Sequence, residues 1–297
     1  MIMTGNATAA QEQSASSPSF SLAGPQGLRL QIDDDPARAA AAWQALQGQG
    51  AATIYQARDF VQSWMETRGR ARGEALLIVS LWRDGEPLML LPLRLYERHG
   101  VRLASFPGGS DSNINMPLMR AGWQPRDAGS LRRWLLDAIA RHAGIDVYHL
   151  NSMPRQLDGQ SNPLAGDEAV PAASNLHEGA LMEDFDALMR ERRGRKARTK
   201  YNWKMNRLKE IGELVFTWAR EPAEQERLLD VFIRQKLERF NRLGIPTQFD
   251  KPDFRAFMLR LASAGGDDAT HRPLELFCLK VGDRCAPSTA AASTTAG

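Results

Sequence analysis

The sequence predicts an α/β protein in which a mixed sheet is flanked by helices and one element order occurs twice. Three observations carry that expectation. Short apolar runs bounded by Asp-Gly or His-Gly pairs alternate with stretches whose apolar residues recur at helical spacing. The first half reads strand, helix, helix, three strands, loop, helix, strand. The second half begins with strand, helix, helix, strand and turn, as the first does, and then stops short, so the second unit is expected to be truncated.

Residues 1–25 are rich in Ala, Ser, Gln and Gly with few apolar anchors, so a disordered tail is expected. The first unit is placed at 26–152. Residues 27–32 alternate apolar and polar as a half-buried strand does. Asp35-Pro36 supplies an N-cap and a first-turn proline, and an Ala-rich helix follows to Gln47, closed by Gly48. A second helix spans about 59–68 with Phe60, Val61 and Trp64 on one face. Residues 75–83 and 87–97 are apolar strands joined at Asp84-Gly85, the signature of a two-residue hairpin. Pro92 marks an edge or a bulge in the second of them. After His99-Gly100, residues 101–106 form a third strand. A loop at 107–117, rich in Gly, Ser, Asp and Asn, leads to a helix at about 130–143 and a strand at 145–150.

Residues 153–178 read as a polar, proline-bearing connector, and the second unit as 179–284. A helical turn holds Phe185, Leu188 and Met189. After Gly194 a helix carries Tyr201, Met205 and Leu208 at i, i+4, i+7, which predicts a core stripe, with Gly212 as its C-terminal residue. Residues 213–219 are a strand. Pro222 opens a long helix closed by Gly244, and Pro252 opens another. Residues 274–281 form a strand ending at a Gly282-Asp283 hairpin turn. Residues 285–297 are low-complexity Ala, Ser and Thr, which reads as an out-of-frame or truncated end that leaves the preceding strand without its hairpin partner.

Composition removes several function classes. The two cysteines, Cys278 and Cys285, are too few for a disulfide framework or a four-cysteine zinc module. No two of the five histidines have the i, i+4 spacing of a helical metal pair. No apolar run reaches the roughly 18 residues of a membrane span, and no secretory signal is visible. A reduced, cytoplasmic protein without a metal is the expectation. There is no Gly-x-Ser-x-Gly nucleophile turn. The net charge of +3 is unevenly placed: residues 190–210 hold ten basic and two acidic residues, a local +8 that leaves −5 on the rest.

The strand and helix order resembles the GNAT (GCN5-related N-acetyltransferase) fold, and two such units in sequence resemble the FemAB-like tandem arrangement. More closely, the chain resembles the CelD-type, BioF-like acetyltransferases linked to cellulose and exopolysaccharide synthesis. The pieces that carry the resemblance are Phe60-Val61-Gln62-Ser63-Trp64, Leu91-Pro92-Leu93, Gly108 to Asn113, Asn162-Pro163-Leu164, and Arg195-Lys196-Ala197-Arg198 through Arg207 to Gly212. The resemblance implies acyl transfer from acyl-CoA to an amine or hydroxyl on a sugar or envelope precursor.

In that fold the acyl-CoA pyrophosphate rests on backbone N–H groups at a turn between a strand and a helix N-terminus. The family's Gln/Arg-x-x-Gly-x-Gly/Ala turn has no copy here. Gly108-Gly109 follows a strand and is the candidate, set against a mobile glycine loop. Asp111, Ser112, Asn113 and Asn115 are candidates for holding the acceptor, set against ordinary turn formation. Arg195, Lys196, Arg198 and Lys200 are candidates for a CoA phosphate. The same basic helix also suits an anionic membrane surface or a solvated face, and nucleic acid is the least favoured partner. His149 and Glu275 are the candidate bases.

Overall fold

The computed structural model describes residues 19–49, 52–177, 179, 182–264, 273–282 and 284–290, the last of these as backbone. Strands β1 (Phe20–Ala23), β2 (Arg29–Asp33), β3 (Ala75–Arg83), β4 (Glu86–Arg98), β5 (Val101–Ser105), β6 (Leu118–Met119) and β7 (Val147–His149) form one seven-stranded sheet. Its order is β1-β2-β3-β4-β5-β7, with β6 beside β4. All pairs are antiparallel except β5 with β7. The Asp84-Gly85 and His99-Gly100 turns are two-residue hairpins with positive φ at both positions. That conformation matches the twist of the flanking strands.

Helices α1 (Ala40–Gln47) and α2 (Arg58–Trp64) cover one face of this sheet, and α3 (Ala128–Ala143) covers the other. Leu77, Val79, Leu91 and Leu93 pack with Leu131, Leu135 and Ile139, while Ile78 and Leu90 pack with Trp43, Phe60 and Trp64. Burial on both faces is why β3 and β4 read as continuous apolar runs. Pro92 lies in a local edge. On the side away from β3, β6 pairs with Met89 and Leu90 and β5 begins at Arg94, so residues 91–93 have no strand partner there. A residue without an N–H is tolerated in such a place.

The rest of the chain adds a β8–β9 hairpin (Gln156–Leu157, Gln160–Ser161), then α4 (Phe185–Arg192), α5 (Arg195–Ile211), β10 (Leu214–Trp218), α6 (Pro222–Leu243), α7 (Pro252–Ser263), β11 (Glu275–Val281) and β12 (Arg284–Ala290). Strands β10, β11 and β12 make an antiparallel sheet. Phe232, Phe257, Leu261 and Leu276 join the cluster that contains Phe60 and Trp64, so the second half is built onto the α1–α2 layer of the first.

Four expectations change. Residues 20–23 are not part of a disordered tail: β1 pairs with β2, with Phe20 opposite Ile32, and Phe20 stacks on His142. Residues 1–18 lie outside the described residues. The first half of the connector belongs to the first core, where Leu157 and Leu164 are buried. Residues 285–290 are strand, and β11 has its hairpin partner, with Val281 opposite Arg284. Residues 291–297 lie outside the described residues. Lastly, α5 buries no residue. Tyr201 is exposed and meets Phe185, while Met205 and Leu208 are only half-buried. The i, i+4, i+7 spacing was real, but the second half offers α5 no closed surface to pack against.

Candidate functional site

The glycine loop after β5 contributes Asp111 to a buried cluster. It lies on the seam between the two halves, clamped by a buried polar network. Helix α2 continues into a π-helical turn, Met65–Gly69, a local widening that turns Arg68 inward. The Arg68 side chain is 1% exposed; its Nε lies 2.8 Å from Asp111 Oδ2 and its Nη1 3.4 Å from Asp253. Its Nη2 donates to Gln248 Oε1 at 2.6 Å. Asp111 also accepts from Trp64 Nε1 at 3.0 Å and from Gln248 Nε2 at 2.6 Å. Burial pulls the Arg68 guanidinium below its ordinary value, and Asp111 opposes that shift. Beside it, Arg94 pairs with Glu74 at 2.7 Å and lies over Trp64 and Tyr96.

Asp111 therefore has both oxygens committed to joining the halves. Ser112 is buried, and its hydroxyl donates to the Gly109 carbonyl at 3.4 Å. Asn113 is the exposed member of the group and bonds to Tyr55, whose phenol is pushed up by burial. Asn115 is fully buried. Its amide N–H donates to Ser152 O at 2.9 Å and its Nδ2 to Asn151 O at 3.1 Å. It sews together the chain ends that diverge after the Ser105–His149 pair of β5 and β7. Of the four candidate acceptor residues, only Asn113 presents its side chain to solvent.

Gly108 and Gly109 do not form a strand–turn–helix site, because α3 starts only at Ala128. Its N-terminus is already satisfied by a carboxylate. Asp127 accepts from the Ser130 amide at 2.9 Å and the Ser130 hydroxyl at 2.7 Å. Those bonds hold the Asp127 carboxyl below its ordinary value. A negative charge thus occupies the position where an anion would dock.

His149 is exposed and lines a cleft of about 530 Å³ with Arg132, Asn151, Ser152 and Arg155. Glu275 lies on the other sheet, and both its oxygens face Arg220 at 3.0 and 3.3 Å. The two candidate bases are not brought together. Of the basic candidates, Arg195 and Arg198 line a groove of about 340 Å³ between α4 and α5, with Arg190, Asp186, Phe185 and Tyr201. Lys196 and Lys200 fall outside it, since one-residue steps of about 100° carry them around the helix. Gly194 provides no side-chain cap; its carbonyl accepts from the Ala197 and Arg198 amides, and the Arg195 and Lys196 amides precede them without a cap.

Sequence reasoning missed Arg68, Gln248 and Asp253. Arg68 had a signal: with Phe60 and Trp64 it completes an i, i+4, i+8 row, a charge on the buried face of an amphipathic helix. Gln248 and Asp253 have none, because their roles depend on a contact between distant segments.

Residues 195–292 match a family model described as an acetyltransferase (GNAT) domain. No curated protein matches the chain. The match begins at α5 and runs through β12, so it falls on the second half, and it supports acyl transfer in general. Among the described residues no cluster of three metal-ligating side chains occurs, and no helix is long and apolar enough to cross a membrane.

Proposed function

We propose that the chain transfers an acyl group from acyl-CoA to an amine or hydroxyl of a sugar or envelope-precursor acceptor. The match of residues 195–292 to an acetyltransferase domain supports acyl transfer, and the acceptor class is taken from the resemblance of the sequence. The repeated β-α-α-β-β order is read with it as two tandem acetyltransferase-like units. The α4–α5 groove suits the nucleotide end of CoA. Arg190, Arg195 and Arg198 offer forked donors to phosphate, the uncapped α5 amides add more, and Phe185 and Tyr201 offer rings to adenine. The transfer needs a base for the acceptor and donors for the tetrahedral oxyanion. His149 is the better base of the two candidates, because its ring opens into a cleft while Glu275 is committed to Arg220.

Equilibrium binding of CoA and dephospho-CoA to the purified chain tests this. Saturable CoA binding is expected, weakened about tenfold or more in Arg195→Ala and Arg198→Ala, since charge-assisted bonds contribute about 1.5–3 kcal/mol each. With an acceptor in hand, His149→Ala should lower kcat by about 10²- to 10⁴-fold. Absence of saturable CoA binding sinks the reading. The self-capped N-terminus of α3 favours a second reading, a non-catalytic module that binds an anionic partner through α5. Salt-sensitive polyanion binding without CoA binding would select it.

A further inference from the structure

Helix α5 has a second face that the α4–α5 groove does not use. Trp203, Arg207 and Ile211 follow one another at i, i+4, i+8, a single stripe pointing away from the side that carries Arg198, Tyr201 and Met205. Trp203 and Ile211 are each 61% exposed. Among the described residues the Trp203 indole has no hydrogen-bond, ring or cation partner. The helix carries seven basic residues against one acidic, and Glu210, the acidic one, is paired with Arg207 at 2.9 Å.

We propose that this face docks the protein on an anionic lipid bilayer surface. Large exposed apolar side chains amid Lys and Arg suit the headgroup boundary, where tryptophan and aliphatic groups enter the interface and the ammonium and guanidinium groups meet lipid phosphate. The charge supplies the complement: residues 190–210 are +8 on a chain that is otherwise −5, so attraction is confined to this segment. Single-stranded nucleic acid fits less well. It needs a run of ring faces, and on this stripe Trp203 is the single aromatic, while the exposed Ile211 cannot stack. No described helix is long and apolar enough to span, so the contact lies along the surface.

The test is co-sedimentation of the full chain with vesicles of phosphatidylcholine alone or with about a third phosphatidylserine. The expected result is binding to the anionic vesicles only, lost in high salt. Each basic side chain near such a surface changes partitioning by about fivefold, so Lys204→Gln with Arg207→Gln should weaken binding by about twenty-five-fold. Trp203→Ser with Ile211→Ser should weaken it while CoA binding stays unchanged, which separates this proposal from the acyltransferase reading. All four positions are at the surface, and circular dichroism checks the fold of each variant. Failure to bind anionic vesicles at low salt overturns the proposal. So does equal binding by the variants, or tighter binding of single-stranded oligonucleotide than of vesicles.

Discussion

The seven-stranded sheet of the first half is covered on both faces, and the three-stranded sheet of the second is covered on one. In the first, adjacent residues of β3 serve different layers, Leu77 and Val79 toward α3 and Ile78 toward α1 and α2. In the second, Leu276 and Cys278 are buried while Phe216 and Trp218 stand exposed and pack edge to face with each other. The second half owes much of its burial to its neighbour: Phe257 of α7 meets Phe60 of α2 edge-on at 5.4 Å. Equal element order thus does not give equal independence. The first half has a core of its own, and the second completes its core on the first.

Removing the shared layer tests that comparison most severely. Phe257→Ala should cost about 3–5 kcal/mol, the range for a deleted buried phenyl ring. Limited proteolysis should then cut first within residues 182–264, while the seven-stranded sheet stays protected. Leu135→Ala, on the buried face of α3, should cost about 2–5 kcal/mol and expose the first half instead. If Phe257→Ala leaves protection of the second half unchanged, the second half does not depend on this layer.

The polar seam comes next. Arg68→Met leaves the Asp111 carboxylate without its buried counter-ion and should cost about 3–5 kcal/mol in urea unfolding. Adding Asp111→Asn removes the stranded charge, so the double variant should be more stable than Arg68→Met alone. Additive losses would show that the two side chains do not act as a pair.

The same comparison explains what the sequence disclosed. Strands buried on both faces and hairpins with Asp-Gly or His-Gly are local signals, and β3, β4 and their turns lie where the pattern put them. The helices α6 and α7 follow from Pro222 and Pro252 with apolar rows behind them. Patterns that need a partner were misread. The stripe on α5 predicts core and is not core, because periodicity shows that a face is apolar, never that something covers it. Strand β12 was hidden by its Ala, Ser and Thr composition, since its pairing comes from β11 and not from its own propensity. At the seam, Asp111 was legible as a polar loop residue, but its partners Arg68 and Gln248 lie 43 and 137 residues away along the chain.

A smaller effect sharpens the account of the glycine loop. Gly108 has φ of +101°, and a β-carbon there would lie 2.8 Å from Ser112 Cβ and 3.3 Å from the Phe60 ring. Gly108→Ala should therefore cost about 1–3 kcal/mol. Thermal unfolding measures it, with Gly85→Ala as a comparison whose β-carbon meets nothing within 4 Å, leaving only its positive φ as a cost. A larger loss at Gly108 than at Gly85 would mark close packing of the seam over turn strain alone.

The exposed counterpart of the Arg68–Asp111 pair is Asp230 of α6 with Arg255 of α7. Arg255 donates to the two Asp230 oxygens at 2.7 and 3.2 Å, and these bonds hold the Asp230 carboxyl below its ordinary value. The carboxyl loses its proton more readily folded than unfolded. Its contribution is thus complete above the ordinary carboxylate value of about 3.9 and disappears as pH falls through the lower folded value. Side-chain exposures of 39% and 56% let water screen the pair, which limits it to about 0.2–1 kcal/mol. Unfolding free energies of wild type and Asp230→Asn should differ by that amount at neutral pH and converge in acid. A constant offset across the range would mean that Asp230 acts through packing between α6 and α7, and that the charge itself contributes nothing.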